Sequence, residues 1–324
     1  LTFSQAIDRG LLTNYQVVII GVDQPMIAEW IENRELVKSD SSDVIDAESL
    51  ASQIGLIKAI KDYDLKRMIS FHSRVNRAES FASEVHDAVD FIHPKHRPDG
   101  EIWADFVSGV MPTHQRRLKL DQLKELTKGD RGLLSNARCL SEGVDVPSLD
   151  GVAFIDPKGS QVDIVQAVGR AIRLSENKSV GTIVLPVFIE DGKGPVESIQ
   201  NSNFKPVWSV LNALKSHDEV LSFELDQLRT QMGKRASESI SGSIPRVAFD
   251  LPRTVGSSFA DSLTTYLVEQ TTAPFNFWFG LLENYIEQEG HARVPGNFKT
   301  EDGYSLGSWV SNQRQAKVND KLTP

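Results

Sequence analysis

Between residues 15 and 189 the chain alternates two hydrophobic patterns. Short continuous apolar runs rich in β-branched residues occur at YQVVIIGVD (15–23), RMISFHS (67–73), IWADFVSG (102–109), RGLLSNA (131–137), VAFIDP (152–157) and VGTIVLPVFI (180–189). Each has the length and composition of a buried strand. Between them lie stretches with apolar residues three and four positions apart. These are residues 46–63, VNRAESFASEVHDAV with Val75, Ala78, Ala82, Val85 and Val89, THQRRLKLDQLKEL (113–126), and QVDIVQAVGRAIRL (161–174). The last three predict helices capped by Ser73, Thr113 and Ser160, and Ser160 with Asp163 has the spacing of a capping box.

Strand and helix in alternation, with strands apolar throughout, predict an α/β domain: a parallel sheet with helices on both faces. Its bounds are set at 46–190. Residues 1–45 read as the tail of a preceding domain plus a linker, since KSDSSD (38–43) is a polar break. Residues 191–273 read as a helical extension followed by a linker at KRASESISGSIP (234–245). From 274 to 324 the chain is dense in aromatics (Phe275, Phe277, Trp278, Phe279, Tyr285, Tyr304, Trp309) and ends at LTP without a closing signal, so a small, partial helical domain is expected.

Composition narrows the class. At 324 residues the chain is long for one core. Its single cysteine, Cys139, allows no internal disulfide and no cysteine-rich zinc site. His93 and His96 are spaced for a metal but have no third ligand nearby, so no metal site is expected. No apolar run reaches membrane-spanning length and no signal peptide opens the chain, so the expected setting is cytoplasmic, away from membranes. The net charge of −9 argues against nonspecific polyanion binding. Residues 65–138 are nevertheless rich in Lys and Arg while 217–261 lean acidic, so a nucleic acid would have to use a local patch.

Candidate chemistry gathers at QAVGRAIR (166–173). On a helix, Gln166, Gly169, Arg170 and Arg173 share one stripe, apart from the apolar stripe of Val165, Val168 and Ile172. Two arginines a turn apart call for an anion opposite, and guanidinium groups match phosphate oxygens. Gly169 costs the helix about 1 kcal/mol relative to Ala, which close approach of a ligand would explain. Upstream, SNARCLSEGVDVP (135–147) follows a strand end, the place where α/β sheets bind ligands. There Gly143 permits a tight turn and Asp145 can accept from a ribose hydroxyl or an arginine.

Taken together and in order, SFHSR (70–74), SNARCLSEGVDVP (135–147) and QAVGRAIR (166–173) resemble motifs IV, V and VI of superfamily 2 helicases of the DEAD/DEAH-box type, close to the motor subunits of restriction enzymes. The resemblance implies a RecA-like fold. It implies that Arg170 and Arg173, positioned by Gln166, act on the γ-phosphate of ATP, with Mg²⁺, held mainly by a first RecA-like domain elsewhere in the same protein. Gly143, Asp145 and Gly169 would line the nucleotide side. Ser73, Arg74, Ser135 and Arg138 would lie along a nucleic-acid backbone, DNA rather than RNA. Residues 277–324, with GHARVP and LGSWVSNQR, resemble a helicase-associated domain, where Arg314, Arg293 and Lys317 are candidate phosphate contacts and Trp309 is expected in the core.

A phosphate cradle G-x-x-x-x-G-K-[ST] and an acidic box do not occur in the sequence. The chain is therefore expected to supply arginine fingers to a nucleotide bound elsewhere and to be inactive alone. The other readings left open are a noncatalytic nucleic-acid-binding or regulatory module with a helicase-like fold, and a different α/β ligand-binding domain.

Overall fold

The computed structural model describes residues 1–31, 47–137, 149–156, 160–175, 178–200, 204–235 and 243–319. All six apolar runs become strands: β1 (Asn14–Asp23), β2 (Arg67–His72), β3 (Ile102–Ser108), β4 (Arg131–Ala137), β5 (Gly151–Asp156) and β6 (Val180–Ile189). A seventh, β7 (Val247–Asp250), was not foreseen. They form one sheet in the order β3-β4-β2-β5-β6-β1-β7, with every ladder between them parallel. Parallel strands covered on both faces have no solvent side, which is why β4 is buried throughout, and β1 nearly so, without alternation.

The helices in chain order are α1 (Phe3–Asp8), α2 (Gln24–Trp30), α3 (Ala47–Asp62), α4 (Val75–Phe91), α5 (Thr113–Lys124), α6 (Gln161–Ala171), α7 (Pro195–Ile199), α8 (Lys205–Lys215), α9 (Glu219–Arg235), α10 (Ser257–Thr271), α11 (Pro274–Glu289) and α12 (Leu306–Val318). Helix α3 lies directly on the sheet. Leu56 and Ile57 are fully buried, and a Cβ on Gly55 would stand 2.9 Å from Pro186 of β6. On α6, Ile164, Ala167, Val168 and Ala171 are buried, as is Ile172 just past its end, whereas Val165 of the expected stripe is only half-buried.

The chain divides into two compact units, Leu1–Glu219 with Ser243–Ala260, and Val220–Gly242 with Asp261–Pro324. Residues 1–45 were expected to belong to a preceding domain, yet β1 is an interior strand of the first unit, between β6 and β7. A buried carboxylate fastens these outer pieces. Asp218, 1% exposed, accepts from Tyr15 Oη at 2.7 Å, from Ser4 Oγ and from the Arg246 guanidinium, which also lies 4.8 Å over the Tyr15 ring. Burial, with Asp218 alongside, pushes the Tyr15 hydroxyl far above its ordinary pKa, so it stays a donor.

In the second unit Leu281, Tyr285, Val294, Leu306 and Val310 form a small core, with Trp278, Phe298, Tyr304 and Trp309 packed against it. Helices α9 and α11 touch backbone to backbone. A Cβ on Gly233 would fall 1.9 Å from the Phe277 carbonyl oxygen, and one on Gly280 2.0 Å from that of Thr230.

Candidate functional site

Helix α6 opens at Ser160, whose hydroxyl accepts from the Asp163 amide at 3.4 Å, with Asp163 in the first turn, as the capping box predicts. Its end departs from expectation. The helix stops at Ala171, so Arg173 does not share a helical stripe with Gln166, Gly169 and Arg170. The Thr13 amide and hydroxyl both take the Ile172 carbonyl, at 2.8 and 3.2 Å, and Arg173 pairs with Leu12 in an antiparallel bridge. That competing partner, with Thr13 159 positions from Ile172, turns the chain off the helix. Arg170 is buried, 8% exposed, whereas the Arg173 side chain is exposed.

Two features of α6 have no cause within the described residues. The buried Oε1 of Gln166 meets no donor there, and a Cβ on Gly169 would have nothing within 4 Å. Packing therefore does not demand glycine at 169. Room is left beside Gly169 among the described residues, and three residues earlier a buried acceptor is unused there.

At the carboxyl ends of β2, β4 and β5 runs a chain of polar groups, buried at Ser135, Ser70 and His72 and half-buried at Asp156 and Ser73. Ser135 Oγ lies 3.0 Å from Ser70 Oγ, which lies 3.0 Å from His72 Nε2. His72 Nδ1 lies 3.4 Å from Asp156 Oδ1, and Asp156 Oδ2 accepts from Ser73 Oγ at 2.6 Å. Burial pushes the His72 pKa down, against the pull of Asp156, so the ring is neutral at pH 7. A carboxylate only accepts, so Nδ1 carries the proton and Nε2 accepts from Ser70, leaving Ser135 to donate to Ser70. Burial pushes the Asp156 carboxyl up, but hydrogen bonds from His72 and Ser73 outweigh it and hold its pKa below the ordinary carboxylate value.

This network revises two expected roles. Ser135 is fully buried with its hydroxyl turned inward, so it cannot reach a nucleic-acid backbone. Ser73 is not the cap of α4. Arg74 holds that position without a side-chain hydrogen bond, and the Ser73 hydroxyl is donated to Asp156. Asp156 and His72 were missed because strand residues were read as packing alone. The register that sets His72 against Asp156 joins positions 84 apart. Arg74 is exposed, as is Arg77 one turn along. The cap expected from Thr113 also differs, since Pro112 precedes α5 and Thr113 Oγ1 accepts from Arg116 instead, at 3.1 Å.

Gly143, Asp145 and Arg138 lie outside the described residues, as does Cys139. Arg314 on α12 is exposed and donates to the Ala292 carbonyl at 2.9 Å. Trp309 stacks on Trp278 with centroids 6.0 Å apart, at the edge of the small core. His96 stacks on Trp30 at 4.3 Å, and its Nε2 lies 3.6 Å from Glu29. No helix among the described residues is long and apolar enough to cross a membrane.

Residues 54–175 match the family described as helicase conserved C-terminal domain, and residues 272–324 match the helicase associated domain. A protein of African swine fever virus described as a probable helicase is 22% identical over 215 residues, which cover 66% of this chain and 22% of the viral protein. The solved structure of the ATP-dependent Type ISP restriction-modification enzyme LlaBIII bound to DNA aligns with 100% of this chain and 20% of its own, at 25% identity and a TM-score of 0.68. The chain thus spans about a fifth of each, 22% and 20% respectively.

Proposed function

We propose, from the premise that this chain carries the C-terminal RecA-like domain of a superfamily 2 helicase followed by a helicase-associated domain, that it is one half of an ATP-dependent nucleic-acid motor. The observation that carries this reading is the end of α6. An exposed guanidinium, Arg173, rises there from a backbone pinned by Thr13 and Leu12. Leu11 and Leu174, in sequence on either side of that bridge, are 56% and 55% exposed, as apolar residues awaiting a covering surface would be.

The residues fit a nucleotide presented by another domain. The room at Gly169 would admit a ligand, and the buried Oε1 of Gln166, which meets no donor among the described residues, would offer an acceptor three residues earlier. ATP with Mg²⁺, when bound, supplies the phosphoryl group whose oxygens gain charge on transfer. Arg173 would stabilise that charge, an effect on the order of 10³–10⁵ in rate for an arginine finger. Arg170, buried at its base, would shape the site from within, and Gly143 and Asp145 would face the nucleotide.

Within the first unit, Arg74 and Arg77 would contact a nucleic-acid backbone, DNA in preference to RNA, together with Arg138; Arg314, in the second unit, would be a separate phosphate contact. Such contacts position without reading sequence.

The test compares nucleic-acid-stimulated ATP hydrolysis by the full-length protein and by residues 1–324. Stimulated turnover is expected from the first and background from the second. Stimulated turnover by the shorter chain would overturn the assignment of the nucleotide to another domain.

A further inference from the structure

A helix end leaves carbonyls without partners. At the end of α6 three consecutive ones are taken up. Ile172 is held by Thr13, and its two neighbours are held by one side chain. The Lys178 ammonium donates to the carbonyls of Ala171 and of Arg173, the latter at 3.0 Å. It also donates to Leu149 at 2.7 Å. An ammonium has three N–H donors, and here all three are committed to carbonyls.

The choice of residue is informative. Capping a helix locally needs only glycine or asparagine just past its end. A half-buried lysine is a costly substitute, because burial disfavours its charge. What lysine adds is reach. Its third bond, to Leu149, crosses from the segment bearing Arg173 to the residue that leads into β5 and follows positions 138–148, where Gly143 and Asp145 lie in the sequence. One cation therefore fixes the backbone of the finger against the start of the strand that follows, in the sequence, the other candidate nucleotide-facing residues. The finger's own stem is long and exposed, so its aim depends on where its backbone is held.

We infer that Lys178 is a positioning residue for the arginine finger, tying the carbonyls of Arg173, Ala171 and Leu149 to one point so that Arg173 keeps a single register against β5. This rests on the reading of Arg173 given above. Burial brings the Lys178 pKa down to about 8, opposed by Asp150, the charged group felt there among the described residues. At neutral pH the ammonium is present. As pH rises through 8 the group loses its charge and one of its three N–H donors, so one of the three carbonyls is released and the finger loosens. Stability responds in the opposite direction. The folded pKa lies below the unfolded value of 10.5, so between those limits the unfolded state holds more protons and this group's contribution to stability rises with pH. An alkaline loss of activity traced to Lys178 is therefore not unfolding.

The experiment measures kcat and KM for ATP in the full-length protein, with Lys178→Met, Lys178→Arg and Arg173→Ala, across pH 6.5 to 9.5. Lys178→Met is expected to lower kcat about 100-fold, the scale of a 1 Å misplacement, with KM changed by less than about threefold. Lys178→Arg is expected to restore most of kcat. It should also remove the alkaline limb expected of the wild type near pH 8, since a guanidinium stays charged. Wild-type kcat in Lys178→Met beside an inactive Arg173→Ala would overturn the role of Lys178 and leave the finger standing. Wild-type kcat in both would remove the finger itself. If Lys178→Met fails to fold, Lys178→Arg decides: an alkaline limb unchanged from the wild type contradicts the inference.

Discussion

Two arginines three positions apart face the same way only while the helix lasts. Here it ends between them, and a bridge to Leu12 gives Arg170 and Arg173 different environments, one buried and one exposed. Truncating Arg170 would disturb packing as well as chemistry, which makes Arg173 the cleaner probe. The hydroxyls of Ser73 and Ser135 are visible in the sequence, but the Asp156 carboxylate and the Ser70 hydroxyl that take them up are brought alongside only by the pairing of β2 with β5 and β4. A pH signature follows. With the folded pKa of His72 below its ordinary 6.5, the unfolded state takes up the proton first, and stability is lost as pH falls below 6.5 toward the folded value. Melting temperature should therefore drop across that window in the wild type and drop less in His72→Gln. Equal slopes would show that His72 is not held neutral.

Element type was legible wherever burial imposed a plain period. The six long strands and the helices between them carry their pattern openly, and α6 shows its apolar stripe and its cap. The four-residue β7 is too short to show one, and the place of β1 depends on distant pairing with β6 and β7 rather than on its own residues. Glycines were ambiguous for the same reason. Gly169 and Gly280 both sit inside helices, where Ala is ordinarily better by about 1 kcal/mol. Only the structure separates them: Gly169 has open space, while a Cβ on Gly280 would stand 2.0 Å from the Thr230 oxygen and 2.9 Å from the Lys234 nitrogen. Gly280→Ala should therefore reverse the usual sign and destabilise the second unit by about 3 kcal/mol, the upper end for overpacking, because the obstacle is backbone. Thermal melting that reports on Trp278 and Trp309 checks this, and an unchanged or raised transition would contradict the crossing.

At the scale of the whole molecule, one parallel sheet and one small aromatic-rich helical unit were both foreseeable, because apolar runs and aromatic density are one-dimensional signals. The division between the units was not. The segment 243–260 returns to the first unit after residues 220–242 have joined the second, and nothing in the local pattern marks that excursion. The functional reading needs the same larger view, since an exposed arginine has catalytic meaning only opposite a phosphate supplied from elsewhere. The most direct measurement is single-turnover ATP hydrolysis by the full-length protein with nucleic acid bound, wild type against Arg173→Ala, with nucleotide affinity measured alongside. A rate lower by about 10³-fold or more with affinity nearly unchanged is predicted. An unaltered rate would contradict the account.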